Sequence, residues 1–253
     1  MSLPKIMVAP NGAYLTKSDH PAVPMTLPEL VQTATKCFAA GAKGIHFHLR
    51  DENGQHLLDA GQYREAIAEI SWAVPQMMVQ ITSESAGIYS PAEQRRTVLE
   101  SGAKNASVSP VEIAREPDIT ITRRFYQDCI DNEITLQHIL YHPSDLDILL
   151  KFLGASEIRN SGHQLLYVLG RRTNTAIKTS ALLGQFITKS AIQLKTPDWA
   201  VCAFGASETD SLLLAHRLGG KIRVGFENSV LTSNGSVAPD NAARVSEVVK
   251  LTS

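Results

Sequence analysis

Charge of one sign is what this chain of 253 residues most plainly lacks. Its 24 lysines and arginines nearly balance 25 aspartates and glutamates, so there is no basic footprint of the kind nucleic-acid binding needs. The doublets Arg95-Arg96, Arg123-Arg124 and Arg171-Arg172 are isolated and read as solvated helix or loop positions. No apolar run is long enough to cross a bilayer, which excludes a membrane-spanning helix. The opening MSLPKIMVAP has neither a signal-peptide core nor a cleavage site, so a cytoplasmic protein is expected. Cys37, Cys129 and Cys202 are far apart and show no CxxC spacing. That argues against a disulfide framework or a thiolate zinc site and leaves each as a small buried hydrophobe.

What is present is repetition. Short apolar runs recur, each followed by a stretch of helical period. The strands read 5–12, 44–50, 76–83, 105–110, 135–141, 164–170, 198–205 and 221–228. Helices are expected near 27–41, 60–73, 91–102, 118–131, 143–154, 176–189, 207–218 and 239–251. Thr26, Ser90 and Ser144 stand where helices should start, and Gly41, Gly102, Gly154 and Gly219-Gly220 where they should stop. Strand–helix units repeating at roughly 30 residues fit a single α/β domain over 1–253, a (β/α)₈ barrel (TIM barrel). The other candidate is an open doubly wound sheet, but APNGAYLTK after the first strand is not its Gly-rich nucleotide loop. The first connection, 12–26, is the longest and reads as an ordered loop over the barrel mouth, or else as a plain surface loop.

The stretch GIHFHLRDENGQ (44–55) alternates. His46, His48 and Arg50 share one strand face, while Phe47 and Leu49 share the other. In a barrel, Phe47 and Leu49 pack outward under the helices, and the histidines look inward near the active-site end. Two histidines at i and i+2 can converge on one ion, or can be hydrogen-bonded core residues. KIRVGFEN (221–228) offers a third ligand. Arg223, Gly225 and Glu227 share a parity, opposite Val224 and Phe226, so Glu227 points inward. A buried carboxylate needs a partner, either a metal or Arg223. His46, His48 and Glu227 with an open position form a set suited to Zn²⁺, with manganese, iron or nickel also compatible.

Other polar residues end strands at the same mouth: Asn11, Thr82, Ser83, Glu84, Ser109, Gln137 and His138. Asn11 and Thr82 read as substrate-facing or ligand-supporting groups. Glu84 sits either near the metal or on an exposed loop. His138 has the opposite parity to Gln137 and reads as structural. FGASET (204–209) could hold an anion on bare N–H groups, or Ser207 simply caps the next helix. DENGQ (51–55) reads as a turn.

With these residues in hand, the chain resembles the β-keto acid cleavage enzymes, whose founding activity is 3-keto-5-aminohexanoate cleavage. The resemblance spans nearly the whole chain and is strongest in HPAVPMT (20–26), AGAKGIHFHLRDENGQ (40–55) and GGKIRVGFEN (219–228). It implies a zinc-dependent barrel that takes a β-keto acid and acetyl-CoA and gives acetoacetate plus a new acyl-CoA. It implies His46, His48 and Glu227 as zinc ligands, Arg223 as the family arginine, and Thr82 in a position where the family often has serine. Such a metal polarises a ketone as a Lewis acid. Homo-oligomers are usual in the family.

The departures are informative. The family's aspartate after the metal-binding glutamate, implicated in proton abstraction, is Asn228 here, and an amide is no general base at neutral pH. Tyr14 stands where the family can use a glutamate to meet a substrate amino group. Tyr14, Glu84, Asp51 or metal-bound hydroxide are the remaining candidates for the base. Catalytic roles are expected for Arg223, Thr82 and Asn228, and substrate contacts for Asn11, Tyr14, Thr82, Ser83, Glu84 and Ser109. Two other readings remain: a metal-dependent lyase or hydrolase without CoA, and a catalytically silent barrel that binds a metabolite.

Overall fold

The computed structural model describes residues 2–154, 162–170 and 179–253. The doublet Arg171-Arg172 and positions 176–178 of an expected helix lie outside them. Eight parallel strands close into a barrel: β1 (Ile6–Val8), β2 (Gly44–Phe47), β5 (Met78–Thr82), β6 (Asn105–Val108), β7 (Thr135–Leu140), β8 (Gln164–Leu169), β9 (Asp198–Ala203) and β10 (Lys221–Val224). Ile6 pairs with Ile222 to shut the ring. A small antiparallel hairpin, β3 (Leu49–Arg50) with β4 (His56–Leu57), projects after β2. Helices follow the strands, including Leu27–Ala39, Ala60–Ala73, Pro91–Glu100, Ile119–Asp131, Asp145–Phe152, Thr179–Gln193, Glu208–Arg217 and Asn241–Thr252.

Alternation along the strands builds two cores. Ile45, Phe47, Leu49, Ile81 and Val224 face outward into the layer beneath the helices. Phe47 is fully buried there, its ring 5.6 Å from that of Tyr63. Burying a side chain of that size contributes about 1.5–3 kcal/mol. Inside the barrel, Ile139, Leu166, Val168, Ala200 and Cys202 pack together. All three cysteines are buried and free.

Thr26 and Ser90 each close a capping box with the glutamate three residues on. Two other expected caps are corrected. Ser144 makes no side-chain cap. Instead Asp145 turns back to accept from the Tyr141 and His142 N–H groups at 2.8 and 2.9 Å. Ser207 does not cap either, and its carbonyl accepts from the Ser211 hydroxyl at 2.7 Å. Arg95 is not solvated. It is 9% exposed and paired with Glu116 at 2.9 Å.

Several strands stop earlier than alternation suggested. The run 221–228 ends as a strand at Val224, because Gly225 turns at φ +142°. Phe226 therefore leaves the barrel wall and packs in a separate cluster with Val23 and Ala238 under the first loop. The run 44–50 breaks at His48 between β2 and β3. The run 105–110 ends at Val108, and Ser109 becomes the N-cap of a short helix, Pro110–Ile113.

Candidate active site at the barrel mouth

His46 ends on the inner face of β2, and His48 follows one residue past the strand. Asn11 holds that residue in place: its side-chain oxygen accepts from the His48 N–H at 3.1 Å, and its amide donates to the His48 carbonyl at 2.9 Å. The same amide donates to the Pro24 carbonyl at 3.1 Å, which ties the first loop to β2. DENGQ is a turn as expected, with Asp51 accepting from the N–H groups of Asn53 and Gln55.

Glu227 arrives from the other side of the barrel seam. Its Oε1 accepts from Arg223 at 2.8 Å, and its Oε2 lies 3.6 Å from His46 Nε2 and 3.7 Å from His48 Nε2. The two Nε2 atoms are 3.3 Å apart. Of the two partners expected for Glu227, Arg223 is present on one oxygen, and the other oxygen faces the two histidines. Gly12 makes room for it: a Cβ there would come within 2.5 Å of Glu227 Cγ, and its φ is +60°. Behind Glu227, Asn241 accepts from the Phe226 N–H at 2.9 Å and donates to the Pro10 carbonyl at 3.1 Å. The buried Glu208 accepts from the Gly225 N–H at 3.3 Å and pairs with Arg244 at 2.6 Å.

Donor atoms of His46, His48 and Glu227 all lie within 4.8 Å of one another, the one metal-type His/Cys/Asp/Glu cluster among the described residues. Around a tetrahedral ion with bonds of about 2.0–2.1 Å, ligand atoms sit roughly 3.3 Å apart, close to the distances seen here. Protonation state fits as well. Burial pushes both histidines well below the ordinary imidazole pKa, assisted by Arg223 at His46 and chiefly by His46 at His48. Neutral imidazoles and a carboxylate are the donors a divalent transition metal requires. The residues fit such an ion.

Around this cluster lies a cavity of about 90 Å³. Asn11, Tyr14, Thr82, Glu84, Arg223 and Glu227 are in its wall, with apolar cover from Ile139, Val168 and Phe204. Glu84 is no loop decoration: its Oε2 lies 3.9 Å from His48 Nε2 and its side chain is 18% exposed. Tyr14 stands at the rim, 68% exposed. Arg50 donates to the Gly12 carbonyl and, at 3.3 Å, to that of Leu15, which fastens the ordered first loop over the mouth.

The remaining candidates divide. The Thr82 hydroxyl accepts from the Glu84 N–H at 3.0 Å and shapes the loop that carries Glu84. Ser83 donates to the Ser107 carbonyl at 2.8 Å, and Ser109 caps its short helix, so neither hydroxyl is in the cavity wall. The Asn228 side chain is buried, with no hydrogen-bond partner for either polar atom, and lies outside the cavity wall. His138 packs against Tyr126, 5.7 Å between ring centroids, with its Nδ1 3.2 Å from the Gln164 carbonyl. Gln80, not among the residues expected from the sequence, lies 3.0 Å from His46 Nδ1. Its shared parity with Thr82 was the available signal.

Both the sequence and the fold have known relatives. The sequence profile of a family described as "beta-keto acid cleavage enzyme" matches residues 5–253. A 3-keto-5-aminohexanoate cleavage enzyme from Fusobacterium nucleatum is 25% identical, over 97% of this chain and 90% of that protein. A 3-oxoadipate:acetyl-CoA acetyltransferase from Cupriavidus necator is 24% identical, over 97% and 87%. Among solved structures, ObcA in binary complex with oxaloacetate aligns with a TM-score of 0.66 at 13% identity. That match covers 91% of this chain, which spans 63% of the ObcA chain. A type I 3-dehydroquinate dehydratase from Clostridium difficile aligns with a TM-score of 0.66 at 10% identity, over 100% of this chain and 92% of that one. At such identities the structural matches speak for the barrel fold alone.

Proposed function

This chain belongs to the beta-keto acid cleavage enzyme family, and from that premise we propose that it is a zinc-dependent enzyme exchanging acyl groups between a β-keto acid and acetyl-CoA. The products are acetoacetate and the acyl-CoA of the remaining fragment. The acetyl group joins the two-carbon carboxymethyl unit of the acid, and the CoA thiolate leaves with the other acyl part, so the reaction needs no oxidant or reductant. The observation that carries this reading is the convergence of His46, His48 and Glu227 beside Arg223, with His46, Glu227 and Arg223 in one cavity wall.

His46, His48 and Glu227 would hold the metal, which supplies Lewis-acid polarisation of a keto oxygen. Arg223 does two things. It orients Glu227, and its fixed positive charge faces the space where negative charge builds on a substrate oxygen. Burial opposes that charge, but the Glu227 carboxylate, together with Cys202 and Tyr141, outweighs burial and leaves the Arg223 pKa raised. The guanidinium stays charged throughout.

For proton abstraction from the carbon between the two carbonyls, the geometry favours Glu84. It is a carboxylate in the cavity wall on the histidine side. Asp51 is engaged in its turn, and Tyr14 sits at the rim. A tyrosine there, not a carboxylate, suits neutral or acidic substrates over cationic ones. Mass spectrometry tests this on zinc-loaded protein given acetyl-CoA and a panel of neutral, acidic and cationic β-keto acids. The expected result is a new acyl-CoA with an equal amount of acetoacetate. No product across the panel, from protein that holds its metal, contradicts the reading.

A further inference from the structure

A neutral histidine offers a metal a lone pair on only one nitrogen, so a buried ligand histidine needs its tautomer decided. At His46 the decision is traceable. Its register partner on the neighbouring strand is Gln80. The Gln80 side-chain oxygen lies 3.0 Å from His46 Nδ1. The Gln80 amide nitrogen donates to the side-chain oxygen of Gln137 at 3.2 Å. The Gln137 amide nitrogen donates in turn to the Leu165 carbonyl at 3.5 Å. All three side chains are buried, at 0–1% exposure.

The chain of bonds has a direction because its far end is a backbone carbonyl, which only accepts. Gln137 must present its nitrogen to Leu165 and therefore its oxygen to Gln80. Gln80 must then present its nitrogen to Gln137 and its oxygen to His46. A carbonyl oxygen facing Nδ1 requires a proton on Nδ1. The lone pair of His46 is thereby left on Nε2, the atom that faces His48 and Glu227.

We propose that Gln80 and Gln137 are positioning residues, an amide relay across the barrel interior that fixes His46 in the tautomer with its lone pair on Nε2. The relay deepens the metal reading and rests on it for its purpose. Its effect on His46 is measurable without metal. Neither glutamine touches the cavity: the relay acts only through His46, by making that ligand competent before an ion arrives. A ligand oriented in this way typically gains about 10–100-fold in metal affinity.

The test uses histidine nitrogen NMR on metal-free protein at pH 7.5 and zinc affinity by chelator competition. In the unmodified chain, His46 is expected to carry its proton on Nδ1. In Gln80→Met, which keeps side-chain volume without the acceptor, that single tautomer is expected to be lost and zinc affinity to fall about 10–100-fold. Gln137→Met removes the middle link and does not touch His46, so a tautomer change there is expected of a relay and not of a local packing defect. It also serves if Gln80→Met does not fold. Gln80→Glu keeps an acceptor at Nδ1 and should restore the tautomer. An unchanged His46 tautomer and unchanged zinc affinity in folded Gln80→Met would overturn the relay. If His46→Ala abolishes zinc binding in that same series, the metal site stands without it. If His46→Ala leaves zinc bound as before, the metal reading itself fails.

Discussion

Glu227 divides its two oxygens between Arg223 and the histidine pair, and the space for that division comes from a residue with no side chain. Gly12→Ala should therefore push Glu227 away from the histidines. The expected effect is a loss of about 10–100-fold in zinc affinity, read by chelator competition, with the far-ultraviolet circular dichroism unchanged. Glu84→Gln separates binding from proton transfer. It should retain the metal and slow acyl-CoA formation about 10²–10⁴-fold, and unchanged turnover would remove Glu84 as the base. The convergence of His46, His48 and Glu227 was legible because strand parity and a buried carboxylate are local signals. Gln80 was not, because its meaning lies in a partner 57 residues away. Ser83 and Ser109 were polar residues at the right strand ends, but parity does not say when a hydroxyl is already engaged by nearby backbone.

At the scale of elements, the turn after β10 carries the site. It leaves the barrel at Gly225, where a side chain would strike the Ala9 carbonyl at 2.4 Å, and it is braced by Asn241 and Glu208. Asn241→Ala strips partners from the buried Phe226 N–H and Pro10 carbonyl. The expected cost is about 1–3 kcal/mol in urea unfolding, with weaker metal binding because Glu227 loses its support. An intact urea midpoint would show that the turn holds itself. Alternation in KIRVGFEN brought Glu227 to the right place for an incomplete reason. The residue does face inward, but through a turn and not along a strand, and period alone does not announce where pairing stops. The missed caps at Ser144 and Ser207 have a related origin. A serine before acidic residues fits a helix start, yet after Ser144 the first-turn N–H groups of Asp145, Leu146 and Asp147 donate to the carbonyls of His142, Pro143 and Ser144, so the hydroxyl is not needed.

For the whole molecule, the barrel was readable because each strand–helix unit repeats the same exchange of period, from two to 3.6, at nearly constant spacing. The same burial that makes the site sets its response to acid. His46 and His48 sit well below the ordinary imidazole pKa, His56 is lowered to about 4 and His138 to about 3, each mainly by burial. The unfolded chain protonates all of these near pH 6.5, so they withdraw stability as pH falls below that value. Glu208 acts in the opposite sense. Burial raises it to about 7 against the pull of Arg244, so the folded state holds its proton and gains stability as pH falls from 7 towards 4.5. The four histidines outweigh the one glutamate. Melting temperature of the metal-free protein should therefore drop steadily from pH 7 to pH 5, and a flat profile would mean these histidines are not held neutral.

The most direct test of the central claim is to supply acetyl-CoA with both acetyl carbons labelled, together with the unlabelled β-keto acid that responds best. Acyl exchange predicts labelled acetoacetate, with the two labels in its methyl and keto carbons, and an unlabelled new acyl-CoA in equal amount. Label recovered as free acetate would point to hydrolysis of the thioester, and cleavage of the acid without label entering acetoacetate would point to a metal-dependent reaction that does not use CoA; either result would contradict the account.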